Sequence, residues 1–134
     1  MANAIYPLWK QEVMQNSTNT SLTGTVKAAL VDTGTYTYSA AHQFLSSLTG
    51  VVGTAQTLTT KTFVNGVFDA DDVTYTAVSG ASAEAIVLYI DTGVAGTSRL
   101  VAYIDTGYTN LPVTPNGGNI TIAWDNGANK IFAL

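Results

Sequence analysis

From residue 25 onward the apolar positions recur with a period of two, the signature of strands that bury one face. Val26, Ala28 and Leu30 alternate with Thr25 and Lys27, which predicts a strand over 25–31. Val73, Tyr75 and Ala77 alternate with Thr74 and Thr76, and Ile120, Ile122 and Trp124 with Thr121 and Ala123, giving two more. Residues 84–90 and 99–104 are apolar on successive positions, and runs so short and so rich in β-branched and aromatic residues imply burial on both faces. One face would pack in the core of a sandwich. The other needs a cover, from the N-terminal helix or from a neighbouring subunit.

The start of the chain follows a different rhythm. Ile5, Leu8, Trp9 and Val13 fall on one helical face, which predicts a helix of two to three turns within 4–15, with Pro7 in its first turn. A Ser/Thr/Asn-rich loop over 16–24 follows. A helical turn carrying Phe44, Leu45 and Leu48 is expected within 40–48. Asn65-Gly66 accepts the positive φ of a type I′ turn, so 57–64 and Val67-Phe68 are expected to pair as a hairpin. Residues 108–119 carry Pro112, Pro115, Gly117 and Gly118 and read as a long irregular loop. Asn126-Gly127 turns into a last strand over 130–134. One helix and then about seven strands at such spacing predict a mainly β chain, a β-sandwich or jelly-roll-like single domain over 1–134 whose residues 1–20 form an N-terminal helix and arm.

Composition sharpens this picture. Charged residues make up only 10% of the chain, where about 25% is usual. The 21 threonines supply polarity and suit a pleated surface. A charge-poor exterior has little repulsion between copies and costs little to desolvate, which favours life in an assembly, although a neutral monomer shares the same composition. The net charge is −4, and Lys10, Lys27, Lys61, Arg99 and Lys130 are scattered. No basic stripe exists to neutralise a phosphate backbone, so no nucleic-acid partner is expected. The apolar runs fall far short of the roughly 20 residues that span a bilayer. No membrane partner is expected, and without a basic-then-apolar leader the chain is expected to be made and kept in a cytoplasm. Cysteine is absent, which removes disulfides and thiolate chemistry.

Asp-Thr-Gly occurs three times, at 32–34, 91–93 and 105–107, each after an apolar strand end. The motif resembles the loop that carries the carboxylates of aspartic proteases. Those motifs continue with Ser or Ala, however, whereas Thr35, Val94 and Tyr108 follow here, and Asp91 and Asp105 are too close in sequence to belong to two lobes. Turn chemistry is the expected role: Asp caps and Gly supplies positive φ. Asp69, Asp71 and Asp72 could offer oxygens to a Ca²⁺ ion, but the spacing is not that of an EF-hand, and a solvated turn is expected. His42 is the only histidine, with no Gly-x-Ser-x-Gly elbow to complete a triad, and Gly117-Gly118 lacks the Lys and helix of a phosphate loop. No enzyme activity and no cofactor are therefore expected. Tyr6, Trp9, Tyr36, Tyr38, Phe44, Tyr108, Leu111 and Pro112 are the interface candidates, with ordinary core and rim packing as the alternative for Tyr36, Tyr38, Phe44 and Tyr108.

Several stretches carry a family resemblance: Met1-Ala2-Asn3-Ala4-Ile5-Tyr6-Pro7, residues 64–73 (VNGVFDADDV), 99–105 (RLVAYID), 111–118 (LPVTPNGG), 124–127 (WDNG) and 130–132 (KIF). Along its length the chain resembles small virion proteins of tailed bacteriophages, and among these the head decoration or cement proteins. That resemblance implies a self-associating protein on the capsid surface of the virion, made in the host cytoplasm, with the major capsid protein as partner. It would staple neighbouring capsid subunits, with the N-terminal segment or the 108–119 loop reaching to neighbours. Two alternatives stay open: a tail, neck or fibre component, and a glycan- or receptor-binding module.

Overall fold

The computed structural model describes residues 3–106, 108 and 110–134. The chain is mainly β. Its strands are β1 (Ala4–Ile5), β2 (Val26–Val31), β3 (Val51–Thr57), β4 (Val67–Phe68), β5 (Val73–Tyr75), β6 (Ala85–Ile90), β7 (Leu100–Ile104), β8 (Ile120–Ile122) and β9 (Phe132–Ala133). One helix, α1 (Pro7–Met14), lies between β1 and β2. All pairings are antiparallel. The main sheet has the order β1-β7-β6-β2-β3, and two short ribbons, β4-β9 and β5-β8, stand beside it.

β6 and β7 are buried at every position, as their uninterrupted apolar runs predict. The ladder register assigns their two faces. Ala28 and Leu30 pair with Leu88 and Ile86, which pair in turn with Ala102 and Ile104, so these six share one face. That face meets the ribbons: the Tyr75 hydroxyl donates to the Ala28 carbonyl at 2.9 Å, and Ile131 and Phe132 line a cavity of about 90 Å³ with Ile5, Ala102 and Ile104. The arrangement is sandwich-like, with the second layer divided into two ribbons. Truncating Leu88, which has no exposed surface, to Ala would cost about 2–5 kcal/mol in lost burial and cavity.

The opposite face, which carries Ala29, Val87 and Tyr103, is covered by the chain itself. The segment after β2 folds back so that the Tyr38 ring lies 5.7 Å from Tyr103 and 5.0 Å from Tyr6. This irregular segment, and not the helix, supplies the cover. Helix α1 instead turns Trp9 edge-on to Phe132 at 6.1 Å, with the indole N–H donated to the Thr20 carbonyl.

Three expected elements come out differently, each for a local reason. The helix does not begin at residue 4, because Pro7 forces Tyr6 into extended backbone (φ −62, ψ 121), and Ala4–Ile5 pair with β7 instead. The turn within 40–48 contracts to a 3₁₀ turn, Leu45–Ser47, with Phe44 extended and bridged to Arg99. The hairpin across Asn65-Gly66 is reduced to one bridge, Thr62 with Asp69. Asn65 and Gly66 do take positive φ, but so does Thr60 (φ 54), which breaks the incoming strand, and β4 pairs with β9.

Candidate functional site

The polar motifs resolve into turns. In the first Asp-Thr-Gly, Asp32 Oδ1 accepts the Gly34 N–H at 2.8 Å; in the second, Asp91 Oδ1 accepts the Gly93 N–H at 3.0 Å, with Gly93 at φ 85. The Gly93 N–H, and then Lys27 at 3.1 Å, hold the Asp91 carboxyl below its usual range. The glycine of the third motif lies outside the described residues. The Asp69-Asp71-Asp72 carboxylates also serve separate local bonds: Asp69 accepts from the Ala70 N–H, Asp71 from the Thr60 hydroxyl and Asp72 from the Trp124 N–H. His42 Nδ1 lies 2.8 Å from the Tyr36 hydroxyl.

The interface candidates divide by burial. Tyr6, Trp9 and Tyr36 are at most 2% exposed, so this fold gives them no surface to offer a partner. Their hydrophobic area is spent on the chain's own core, which corrects the expectation for these three. Tyr38, Phe44, Tyr108 and Leu111 are half-buried, and Pro112 is exposed. Phe44 lies under the Arg99 guanidinium at 5.2 Å, and Tyr108 packs edge-on to Trp124 while its hydroxyl donates to the Ile104 carbonyl. The described residues of both expected arms are tied to the body of the chain. The 108–119 segment is bonded back at Val113 to Ala83 and at Gly117 and Gly118 to Val78, and the N-terminal strand is paired.

Apolar surface appears where the sequence pattern did not point. Phe63 is 42% exposed, Val64 69% and Leu134 64%. Asn65 and Gly66, in left-handed backbone, close a tight turn directly after Val64. Leu134 is tied to the turn by its N–H on the Gly66 carbonyl at 2.9 Å, and the Phe63 ring stacks on buried Phe68 at 5.7 Å. A shallow groove of about 330 Å³ runs beside Val64, Val67 and Lys130. The signal was present in the sequence as Phe63-Val64 placed directly before a turn-forming Asn-Gly pair, where a strand reading assigned both to a sheet.

A second concavity, of about 490 Å³, is lined by Tyr36, Tyr38, Tyr103, Glu84 and Asp105 with neighbouring threonines. The Tyr36 hydroxyl is engaged with Tyr6 and His42. Burial, and then the charges of Asp105, Tyr36 and Glu84, push the Tyr103 phenol above its usual value. Glu84 Oε1 accepts both the N–H and the hydroxyl of Thr33, which fixes its carboxylate at the mouth of the Asp32 turn.

No protein-family model matches the chain, and no curated protein matches it.

Proposed function

We propose that the chain is a virion structural protein of a tailed bacteriophage, a decoration or cement protein that docks on the major capsid protein and staples neighbouring subunits of the head. The observation that carries this reading is the Phe63-Val64-Leu134 patch, apolar side chains held outward by a rigid turn on an otherwise charge-poor domain. Apolar groups fixed in this way lose little conformational entropy on docking, and their burial contributes about 25 cal/mol per Å². One such contact is small beside the roughly 800 Å² per partner of a stable interface. Repetition over a symmetric lattice, together with self-association of the copies, supplies the rest as avidity.

The resemblance of residues 64–73 and 130–132 to small virion proteins of tailed bacteriophages falls on this same patch and its groove, which adds to the reading. Mechanically, each copy would add buried area between capsomers, so that the shell resists the pressure of packaged DNA. The chemistry of the described side chains agrees with a non-enzymatic role: the carboxylates of the first two Asp-Thr-Gly motifs are committed to turns. The test is addition of purified protein to expanded heads that lack it. Saturable binding and heads that withstand more heat are expected, whereas absence of both would overturn the proposal.

A further inference from the structure

We propose that the groove beside Val64 receives an extended segment of the major capsid protein that carries an apolar side chain and, two residues along, a carboxylate. The proposal rests on the shell role given above and names the chemistry of the partner at that same patch.

Three observations carry it. First, the groove is preformed. Val67 and Asp69 line it from the face of the chain opposite buried Phe68, where β4 is paired with β9 and Asp69 is bridged to Thr62. Asn65 (φ 54) and Lys130 (φ 45), both in left-handed backbone at tight turns, line it too. A site built in this way loses little freedom when it is filled. Second, its rim is apolar, with Val64 69% exposed. Third, it holds an unmet charge. Lys27 is used on Asp91, Lys61 on the Leu22 and Gly24 carbonyls and Arg99 on the Thr18 carbonyl, whereas Lys130 makes no ion pair among the described residues, although Asp69 lines the same groove. Asp69 already accepts the Ala70 N–H on Oδ1 at 2.9 Å. The charge left to satisfy is the Lys130 ammonium.

An ammonium carries donors only, and a carboxylate is its strongest acceptor. The second oxygen of Asp69 is left to accept a backbone N–H of the incoming segment. In an extended chain residues i and i+2 share one face, the spacing of Val67 and Asp69 themselves, so an apolar-x-acidic segment can lay both side chains into the groove. A basic segment fits less well, because it meets Lys130 with like charge.

The experiment is an NMR titration of the full chain at low salt, following the Val64 and Val67 methyl resonances. The probe is the peptide acetyl-Gly-Leu-Ser-Asp-Gly-amide, with versions carrying Ser for Leu, Asn for Asp and Lys for Asp. Saturable shifts are expected with the parent peptide, about tenfold weaker without the Leu and about threefold weaker with Asn, the worth of one exposed ion pair, and weakest with Lys. Lys130→Met should bring the parent peptide down to the affinity of the Asn version, Lys130→Arg should restore it, and Lys10→Met should change nothing. Lys130→Met should also weaken binding to heads that lack the protein, less so at high salt. No shift at millimolar peptide, equal affinity for the Asp and Lys versions, or an unchanged affinity in Lys130→Met would overturn the proposal. So would shifts at Val64 and Val67 that appear on concentrating the chain alone, which would assign the groove to a second copy. Head binding without peptide binding would sink this partner and leave the shell role standing, whereas peptide binding without head binding would support the groove chemistry and sink the shell role.

Discussion

The hydroxyls of Tyr6 and Tyr36 lie 2.7 Å apart inside the core, and Tyr36 alone passes the chain of bonds on to His42 at 2.8 Å. The two residues are therefore unequal. Tyr6 has no exposed surface and depends on Tyr36 for its partner, whereas Tyr36 keeps His42 if Tyr6 is lost. Tyr36→Phe should cost about 1–3 kcal/mol by orphaning a buried hydroxyl, and Tyr6→Phe distinctly less. Urea unfolding of both variants checks this; equal losses, or a larger loss for Tyr6→Phe, would contradict it.

The phenols also set a limit at high pH. Burial raises the pKa of all seven tyrosines, Tyr6, Tyr36, Tyr38, Tyr75, Tyr89, Tyr103 and Tyr108, above 10.0. The unfolded chain then releases protons first as pH rises, so this stabilisation is complete below pH 10 and is lost progressively above it. Phenolate absorbance should therefore rise together with loss of the near-ultraviolet circular dichroism. A smooth titration centred at pH 10 with the fold intact would argue against these burials.

At low pH the sign reverses. Asp91 is held below 3.8, so its contribution is present above that value and disappears as pH falls through the lower, folded one. Because Lys27 and Asp91 are partly exposed, the ion pair is worth at most about 1 kcal/mol. Lys27→Met should lower stability at pH 7 by no more than that in a urea titration, with the difference from the parent shrinking as pH falls below 3.8.

Gly50 is a sharper structural requirement. It has φ 68, and a Cβ there would stand 2.9 Å from the Asp32 carbonyl oxygen and 3.0 Å from Thr35 Cβ. Gly50→Ala should cost about 1–3 kcal/mol through strain at the first Asp-Thr-Gly turn, whereas Gly96→Ala, with open space around it, should cost far less. Thermal melts of the two variants give the comparison.

The strands β2, β5, β6, β7 and β8 were legible in the sequence because alternation or an unbroken apolar run survives in each. β3 was not. Its sequence, VVGTAQT, carries a glycine at φ 70 and a register shift opposite Ala28 and Leu30, so the period of two is interrupted. The cover over Tyr103 was equally hidden, because it comes from an irregular segment whose tyrosines have no period at all. For the same reason Tyr36 read as a surface anchor, while Phe63 and Val64, the exposed pair, read as strand.

The patch makes its own prediction. Val64→Asp adds a charge to a side chain already 69% exposed, so stability should change by no more than about 0.5 kcal/mol. Binding to heads that lack the protein should fall by tenfold or more, on the order of 1.4 kcal/mol per contact. Unchanged binding in a sedimentation assay would move the docking surface elsewhere.

The central claim, that this chain decorates a capsid lattice, is tested most directly by counting its copies in purified virions by quantitative mass spectrometry against the major capsid protein. A lattice role predicts on the order of hundreds of copies in fixed ratio to the capsid subunits, as closed shell symmetry requires. A ring-sized count of about three, six or twelve would contradict it and assign the chain to a tail, neck or fibre.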